Sequence, residues 1–516
     1  MNLLVRFFII ICAIVFIAPI LALAGEALPA LFASQAGLSQ DLLMRYAGNS
    51  ILLLLGSVIG AVFFGCFSAY LCSRFEFAGR RLLLLLSVLP LAVPSYLVAY
   101  TWVDFLIAQG VHGGALRNLP VTCLIFSLCL APYVFLPTYG ALTQFSASLS
   151  ESARLLGKGP VRVFFLIELP LVRAAVFTGA LLAGMEVLAD FGTVDFMAVD
   201  TWSTGIYRSW FGYGDRTRAA LFSLLLFVFS GTLLFAEARL REKKNLAGRG
   251  RSASLVRRRP LPPALWLPCF LLASCPVLLG CLLPSFILLE SSLTDATPQL
   301  WTSTLAPAAT TLMMASSAGI MVLLLGVVFV YTLRLSFGPV WNSIVRLASL
   351  GYALPGGVIG IGFLILLAPF SMTGSITGLL LAYCVRFATI GVSTIEAGWS
   401  AIPRAYEEQA RLLGRSQGGV LHSVSLPLLR KSLACVFILT CIDVIKELPA
   451  TMLLRPFDFE TLSIRTYNLA SDERLSETAP SSLLMVVLSL AGILLASRFG
   501  AFSLTQTDQN GSTHEK

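Results

Sequence analysis

The sequence predicts an all-α integral membrane protein with about 12 transmembrane helices, arranged as two parallel six-helix repeats. Three observations predict this fold class. Hydrophobic residues make up 57% of the 516 positions and charged residues only 12%, whereas soluble domains carry about 25% charged residues. Apolar runs close to the roughly 20 residues that cross a bilayer recur along the chain. One segment is also repeated 257 positions later.

The apolar runs are continuous and rich in Leu, so they predict helices; strands of a membrane barrel would alternate apolar and polar residues. The predicted spans of the first half lie near residues 7–24, 49–72, 83–103, 120–141, 173–197 and 219–237. Those of the second half lie near 264–290, 307–333, 343–368, 375–395, 431–453 and 479–498.

Prolines interrupt two of these spans, the third at Pro90 and Pro94 and the ninth at Pro355. Proline removes a backbone hydrogen bond and kinks a helix. Broken helices are tolerated where they line a cavity, so these residues are candidates for a translocation path. An ordinary kink against neighbouring helices is the alternative.

Positive charge is concentrated between the sixth and seventh predicted spans. The basic residues there are Arg239, Arg241, Lys243, Lys244, Arg249, Arg251, Arg257, Arg258 and Arg259. Short loops rich in Lys and Arg stay in the cytoplasm, so the net charge of +9 indicates membrane topology and not a nucleic-acid partner. The predicted regions are a first half at 1–237, a basic cytoplasmic linker at 238–263, a second half at 264–500 and a polar cytoplasmic tail at 501–516. Both termini are then cytoplasmic.

The direct repeat lies between the fourth and fifth predicted spans of each half. ESARLLGKGPVRVFFLIELPL begins at Glu151, and EQARLLGRSQGGVLHSVSLPL begins at Glu408. The offset covers six spans, an even number, so both segments face the same side and the repeat is parallel, not inverted.

Each repeated segment predicts a short helix on the cytoplasmic side. Ala, Arg and Leu favour helix, and the small Ala153 and Ala410 allow close approach by another surface. Gly157 and Gly414 can adopt the positive φ that ends a helix. The alternative is a connecting loop without a partner.

The spacing of Glu, Ala, Gly and Leu-Pro resembles the EAA loop of binding-protein-dependent ABC importers. The resemblance implies a coupling helix that docks into a separate ATPase subunit, so two loops imply two ATPase subunits that use ATP in the cytoplasm. The residues that match the coupling motif are Glu151, Ala153, Gly157, Glu408, Ala410 and Gly414. No GxxxxGK[ST] phosphate loop occurs in the sequence, so this chain is expected to be a transport subunit without its own ATPase motif or bound cofactor.

Acidic residues recur at matching positions inside the fifth and eleventh predicted spans. Glu186 corresponds to Asp443 and Asp190 to Glu447, so each half keeps an acid pair four residues apart, on one face of a helix. Charges at bilayer depth are costly and should face the bundle interior or water. Two interpretations stay open. The acids line a cation route, because carboxylates suit hard cations, or they pair with Lys446 or with Arg386 as contacts between helices.

Longer stretches resemble the ferric-iron permeases of the ABC importer superfamily. They are VLPLAVPSYLVAYTWVDF from Val88, VLADFGTVDFMAVDTWSTGIYRSWFGYGD from Val187 and DVIKELPATMLLRPFDFETLSIRTYNLASDERL from Asp443. The resemblance implies the type I ABC importer permease fold, a periplasmic ferric-binding protein as partner, and a bacterial inner-membrane location surrounded by lipid. It assigns no metal ligands.

Other substrates and other classes of transporter remain as alternatives. The same machinery serves thiamine, polyamines or phosphonates, and an ion-coupled secondary carrier would use the membrane acids without an ATPase. Aromatic and charged residues that follow the fifth and eleventh predicted spans are candidates for docking a binding protein, and the Trp and Tyr residues among them are alternatively anchors at the membrane interface. They are Trp202, Tyr207, Arg208, Trp210, Arg455, Asp458, Arg465 and Asp472.

Overall fold

The computed structural model of the chain describes residues 2–32, 40–144, 153, 155–247, 258–294, 296–335, 338–348 and 354–500. In this part of the chain nine helices are long and apolar enough to cross a membrane, or ten if a bent pair in the third span counts as one. The ninth and eleventh predicted spans are also helical, but Gly356–Leu367 is short and Leu426–Ile445 carries charged residues. The prediction of an all-α membrane protein with fused repeats is confirmed.

The helices of the first half are Asn2–Phe32, Gln40–Arg74, Arg80–Leu86, Ser95–Ala108, Gly113–Leu116, Leu119–Gln144, Pro160–Val163, Leu169–Ala189, Gly192–Phe196, Trp202–Tyr207 and Arg216–Ala247. Those of the second half are Pro263–Val277, Leu283–Thr294, Pro298–Leu335, Pro339–Ala348, Gly356–Leu367, Ile376–Ser400, Arg404–Leu412, Gln417–Val420, Leu426–Ile445, Pro449–Leu454, Leu462–Ser471 and Ala479–Arg498. Short 3-10 turns occupy Leu89–Ala92, Ala368–Phe370 and Leu475–Thr478. Wider π-helical turns occupy Phe164–Glu168, Arg208–Gly212, Leu278–Leu282 and Leu421–Ser425.

Three predicted spans break where the apolar pattern continues. The third bends by 93° between Arg80–Ala92 and Ser95–Ala108, because Pro94 takes an extended backbone and begins a new helix. The fifth span was predicted to reach residue 197 but ends at Ala189, and the eleventh was predicted to reach residue 453 but ends at Ile445. A separate short helix follows each of the latter two.

The two halves match in detail around the repeated segment. A short helix, one π-helical turn and a long helix follow each other from Pro160 to Ala189. The same three elements begin 257 positions later, at Gln417, Leu421 and Leu426. Such agreement supports the parallel repeat inferred from sequence.

The sequence halves interlock, because each packs its first helix on the other half. Pro19 of the first span lies so close to the ninth span that a β-carbon added at Gly362 would come within 2.8 Å of its carbonyl oxygen. Conversely, Ser68 of the second span donates a hydrogen bond to the carbonyl of Ala273 in the seventh, at 3.1 Å. The units that pack together therefore differ from the units that follow each other in sequence.

The end of the basic segment lies at the same end of the bundle as the repeated segments. Phe75–Glu76, directly after the second span, pairs in parallel with Arg259–Pro260. At this end Arg74 forms a buried ion pair with Glu168, at 3.1 Å. Glu168 directly precedes the Leu-Pro pair of the first repeated segment, so linker and repeat meet here.

Candidate translocation site

A cavity of about 100 Å³ lies where the two sequence halves meet. The residues of the predicted path that line it are Glu186, Asp190, Asp443, Glu447, Pro90 and Pro94. Pro355 is not among the lining residues, but it precedes Gly356, whose added β-carbon would lie 2.0 Å from Arg386 in the cavity wall. The structure therefore brings the acids of both halves to one place.

Asp190 lies just beyond the fifth span, in an extended backbone conformation. Its carboxylate accepts hydrogen bonds from the Ser95 hydroxyl at 2.7 Å, from the Thr193 N–H at 2.7 Å and from the Thr193 hydroxyl at 2.9 Å. Ser95 begins the helix after the proline break of the third span. Asp190 therefore fixes the two breaks, in the third and the fifth span, against each other.

Glu447 repeats this arrangement in the second half. Its carboxylate accepts hydrogen bonds from the N–H groups of Ala450 at 2.9 Å and Thr451 at 3.0 Å, and it pairs with Arg386 at 3.3 Å. Ala450 is the repeat counterpart of Thr193. The prediction that each acid pair lies on one helical face is wrong, because the second acid of each pair lies beyond the end of its helix and caps the next one.

The other two acids lie on the helices themselves. The Tyr133 hydroxyl donates to Glu186 at 3.3 Å. Asp443 pairs with Lys446 at 2.8 Å, and the same ammonium donates to the carbonyl of Leu91 at 3.4 Å, in the broken third span. Both pairings of the structural interpretation, Asp443 with Lys446 and Glu447 with Arg386, are thus present in the second half.

Aromatic side chains close the seam between the halves beside the cavity. The Tyr207 hydroxyl donates to the carbonyl of Pro449 at 2.7 Å, and the Tyr467 hydroxyl donates to Asp195 at 2.8 Å. The Phe191 ring stacks on Tyr207 with centroids 3.6 Å apart. Tyr207 and Trp202 are buried, so neither is available to dock a binding protein or to anchor in the membrane interface, and the sequence interpretation of these two residues is wrong.

The repeated segments end as the sequence predicts. Gly157 and Gly414 adopt positive φ values of 78° and 82°. In both segments the residue after this glycine donates its N–H to the carbonyl of the motif alanine, at 3.1 Å, from Lys158 to Ala153 and from Arg415 to Ala410. Both alanines are buried, so they face the protein itself and not another surface. Glu151 lies outside the described residues.

Residues 61–240 match the family described as binding-protein-dependent transport system inner membrane component. Over this stretch, about a third of its length, the chain is similar to the permease subunits of ABC importers. The Fe(3+)-transport system permease protein FbpB 2 of Haemophilus influenzae is 25% identical over 464 residues, which cover 87% of this permease and 89% of that protein. The resemblance to ferric-iron permeases is therefore confirmed over most of the length.

Permeases with other named substrates also match, over shorter stretches. The molybdenum transport system permease protein ModB of Escherichia coli is 32% identical over 152 residues, 28% of this permease and 66% of that protein. The sulfate transport system permease protein CysT of Salmonella typhimurium is 27% identical over 165 residues, 30% of this permease and 60% of that protein. The family implies an inner-membrane, multi-pass subunit that works with an ATPase and a binding protein.

Sequence reasoning missed the side chains that the permease exposes on its repeated segments. Leu155, Leu156, Leu412 and Leu413 are between 81% and 90% exposed. Such exposed leucine pairs, at corresponding places in both halves, are typical of an interaction surface. The identical ARLLG strings were the available signal, since an isolated surface helix gains little from two adjacent leucines.

Sequence reasoning also missed Glu407, the neighbour of the motif residue Glu408. Glu407 is buried, accepts a hydrogen bond from the Trp399 indole at 2.7 Å and pairs with Arg334 at 3.2 Å. Glu408 itself is exposed. In the second half, Glu407 therefore holds the short helix against the permease, whereas the motif residue Glu408 faces away from it.

Proposed function

We propose that this permease moves ferric iron, released by a periplasmic binding protein, across the inner membrane through the cavity between its halves. The observation that carries the proposal is the charge of the cavity. Among its described lining residues four carboxylates face two cations, Arg386 and Lys446. Carboxylate oxygens suit hard cations, and excess negative charge in a cavity with low-dielectric walls attracts them.

The same charge argues against an oxyanion substrate. A sulfate ion in this cavity would meet carboxylates from both halves and would be repelled, since like charges in a weakly polarisable interior interact strongly. The shorter matches to sulfate and molybdenum permeases therefore support the architecture and not the substrate. A polyamine is the alternative that the charge also permits.

The size of the cavity favours a bare or partly hydrated ion over a chelate. A volume of about 100 Å³ is smaller than the roughly 150 Å³ of an engineered cavity that binds one benzene molecule. Among the described residues no group of three or more His, Cys, Asp and Glu side chains is placed to hold a metal ion. We therefore infer passage with weak, changing contacts instead of tight coordination.

We propose that the coupling residues set the shape of each repeated segment, which the ATPase subunits then recognise. Gly157 and Gly414 end each short helix, and Ala153 and Ala410 let it lie against the permease. Two ATPase subunits would then bind the exposed leucines, while Glu151 and Glu408 contact the same partners. ATP is hydrolysed by those subunits and not by this chain.

In this proposal the basic linker at 238–263 and both termini are cytoplasmic, and the linker joins two six-helix halves. The pairing of Phe75–Glu76 with Arg259–Pro260 beside the first repeated segment supports a common side for linker and ATPase.

The test is uptake of radioactive ferric iron in cells that lack this chain and in cells that carry it again. We expect restoration by the native chain. The double substitution Glu186→Gln and Asp443→Asn should lower the initial rate about tenfold, equivalent to losing about 1.4 kcal/mol of cation stabilisation. The matched control neutralises Glu290 and Glu396, two exposed acids that do not line the cavity, and should transport normally.

Competition experiments distinguish iron from the other candidate substrates. Excess sulfate or molybdate should leave iron uptake unchanged, and excess spermidine should also leave it unchanged if iron is the cargo. No iron uptake from a chain confirmed in the membrane would overturn the proposal, as would normal uptake by the double variant.

A further inference from the structure

The charged residues of the cavity are distributed unequally between the two halves. At the repeat offset of 257 positions, Arg386 corresponds to Cys129 and Lys446 corresponds to Ala189, and all four residues line the cavity. The acids are kept in both halves, whereas the cations occur in the second half alone. Since the surrounding helices begin at corresponding positions, Leu119 and Ile376, this difference lies within a shared framework.

The two cations differ in what holds them. Arg386 pairs with Glu447, whose carboxylate is already fixed by the backbone N–H groups of Ala450 and Thr451. These residues form a unit within the second half. An ion pair anchored in this way to a helix cap stabilises the local fold.

Lys446, in contrast, reaches across the seam. Its ammonium pairs with Asp443 of its own half at 2.8 Å and donates to the Leu91 carbonyl of the other half at 3.4 Å. Glu186 of the first half lines the same cavity as Lys446. Lys446 keeps 22% of its side chain exposed and Asp443 keeps 20%, so the pair faces the cavity and is not sealed in the protein. The contact to Leu91 depends on the proline-broken third span, which turns a backbone carbonyl toward the cavity.

We propose that the Lys446 ammonium is a tethered counter-ion of the translocation path. When no substrate is present it occupies the place of the cargo cation, neutralises the facing carboxylates and holds the halves together through Leu91. A cation entering the cavity replaces it at Asp443 and Glu186, and the freed side chain releases the seam. The substrate then opens its own path, because it alone supplies the charge that lets Lys446 leave.

The inference deepens the proposed function and rests on it for the charge sign of the cargo. Three variants test it in the complete complex of permease and ATPase subunits, reconstituted in liposomes. Lys446→Met removes the ammonium and Lys446→Arg keeps a positive charge. The matched control Lys431→Met makes the same change at an exposed position of the helix Leu426–Ile445, which Lys446 directly follows.

Two rates are measured without the binding protein: ATP hydrolysis, and passive entry of Mn²⁺ recorded by a trapped fluorescent chelator. Removing one charge-assisted contact from the closed seam should raise both about tenfold in Lys446→Met. Lys446→Arg and Lys431→Met should behave like the native complex. Native rates in assembled Lys446→Met would overturn the proposal.

A chemical rescue guards against a folding defect. Lys446→Cys should show the same raised rates, and treatment with 2-aminoethyl methanethiosulfonate should lower them again by restoring an ammonium on a tether of similar length. Because Cys129 also lines the cavity, the treatment is made in a Cys129→Ala background, and the reagent should not change that background alone. If neither Lys446→Met nor Lys446→Cys assembles, the residue is required for folding and the proposal is rejected. Failure of the proposed iron cargo is detected by a separate measurement. In that case vesicles with the native complex do not accumulate iron in the presence of ATP and binding protein, while the rates of the Lys446 variants still differ from the native rates as predicted.

Discussion

Replacing Gly356 with Ala should break the ion pair between Arg386 and Glu447. A β-carbon at Gly356 would lie 2.0 Å from Arg386 Nη1 and 2.7 Å from Glu447 Oε1, which is inside van der Waals distance of both partners. These two atoms are ends of side chains and can separate, whereas the third contact, Pro449 Cβ at 3.0 Å, needs a shift of only a few tenths of an ångström. The change thus tests the pair without altering either charged residue.

The expected loss in the free energy of unfolding follows from the burial of this ion pair. Breaking a buried ion pair costs about 3–5 kcal/mol, and the 14% exposure of Arg386 against 1% for Glu447 places this pair at the lower end, at about 3 kcal/mol. Alanine at Gly356, the first residue of its helix, regains at most the ~0.5–1 kcal/mol that it gains over glycine in the middle of a helix. We therefore expect a net loss of about 2 kcal/mol.

The neighbouring Gly357 provides the matched control. Its added β-carbon would meet Tyr207 at 3.4 Å, an ordinary contact, so Gly357→Ala should be neutral or slightly stabilising. Thermal unfolding of the purified permease in detergent compares the two variants. Arg386→Met should lower stability by itself, and combining it with Gly356→Ala should add little, because both remove one interaction. Equal unfolding temperatures for Gly356→Ala and Gly357→Ala, or fully additive losses, would refute the reasoning.

Three further outcomes are expected. Gly414→Val should reduce transport-coupled ATP hydrolysis at normal protein levels, because the positive φ of 82° costs a branched residue about 1–2 kcal/mol. Asparagine tolerates this conformation, so Gly414→Asn should retain coupling. Equal coupling in both variants would contradict the role of the turn. Changing the four exposed leucines Leu155, Leu156, Leu412 and Leu413 to Asp should remove the ATPase subunits from the purified complex, and intact copurification would show that these leucines are not the docking surface. A cysteine placed at the exposed Tyr213 should react with a membrane-impermeant reagent in whole cells and one at Gly250 should not; the reverse pattern would invert the topology.

The sequence predicted the spans because burying apolar residues in lipid leaves few options for the backbone. It also predicted the repeat and the φ of both terminal glycines. It failed at the ends of the fifth and eleventh spans, since Asp190 and Glu447 fit a helical periodicity as well as they fit a cap. Gly192 and Pro449, each two residues further on, were the signals that a new helix begins there.

The composition of the cavity was predictable in part. The shared offset of the four acids indicated a common place, and Lys446 and Arg386 were recognised as possible partners. The contact between Lys446 and Leu91 was not predictable, because it depends on how far the third span bends. The burial of Trp202 and Tyr207 was missed for a similar reason: their short helix turns back into the bundle, which the local sequence does not reveal.

The interlocking of the halves sets a condition on how the protein is made. The first span is synthesised long before the ninth, against which Pro19 packs beside Gly362. At 5–20 residues per second the ribosome needs roughly half a minute to reach its partner. During that time the first span must persist in lipid without its final neighbours, and its run from Phe7 to Gly25 carries no charged residue. The first span therefore has to be apolar on all sides because it is synthesised before its partner, as well as because of its place in the finished structure.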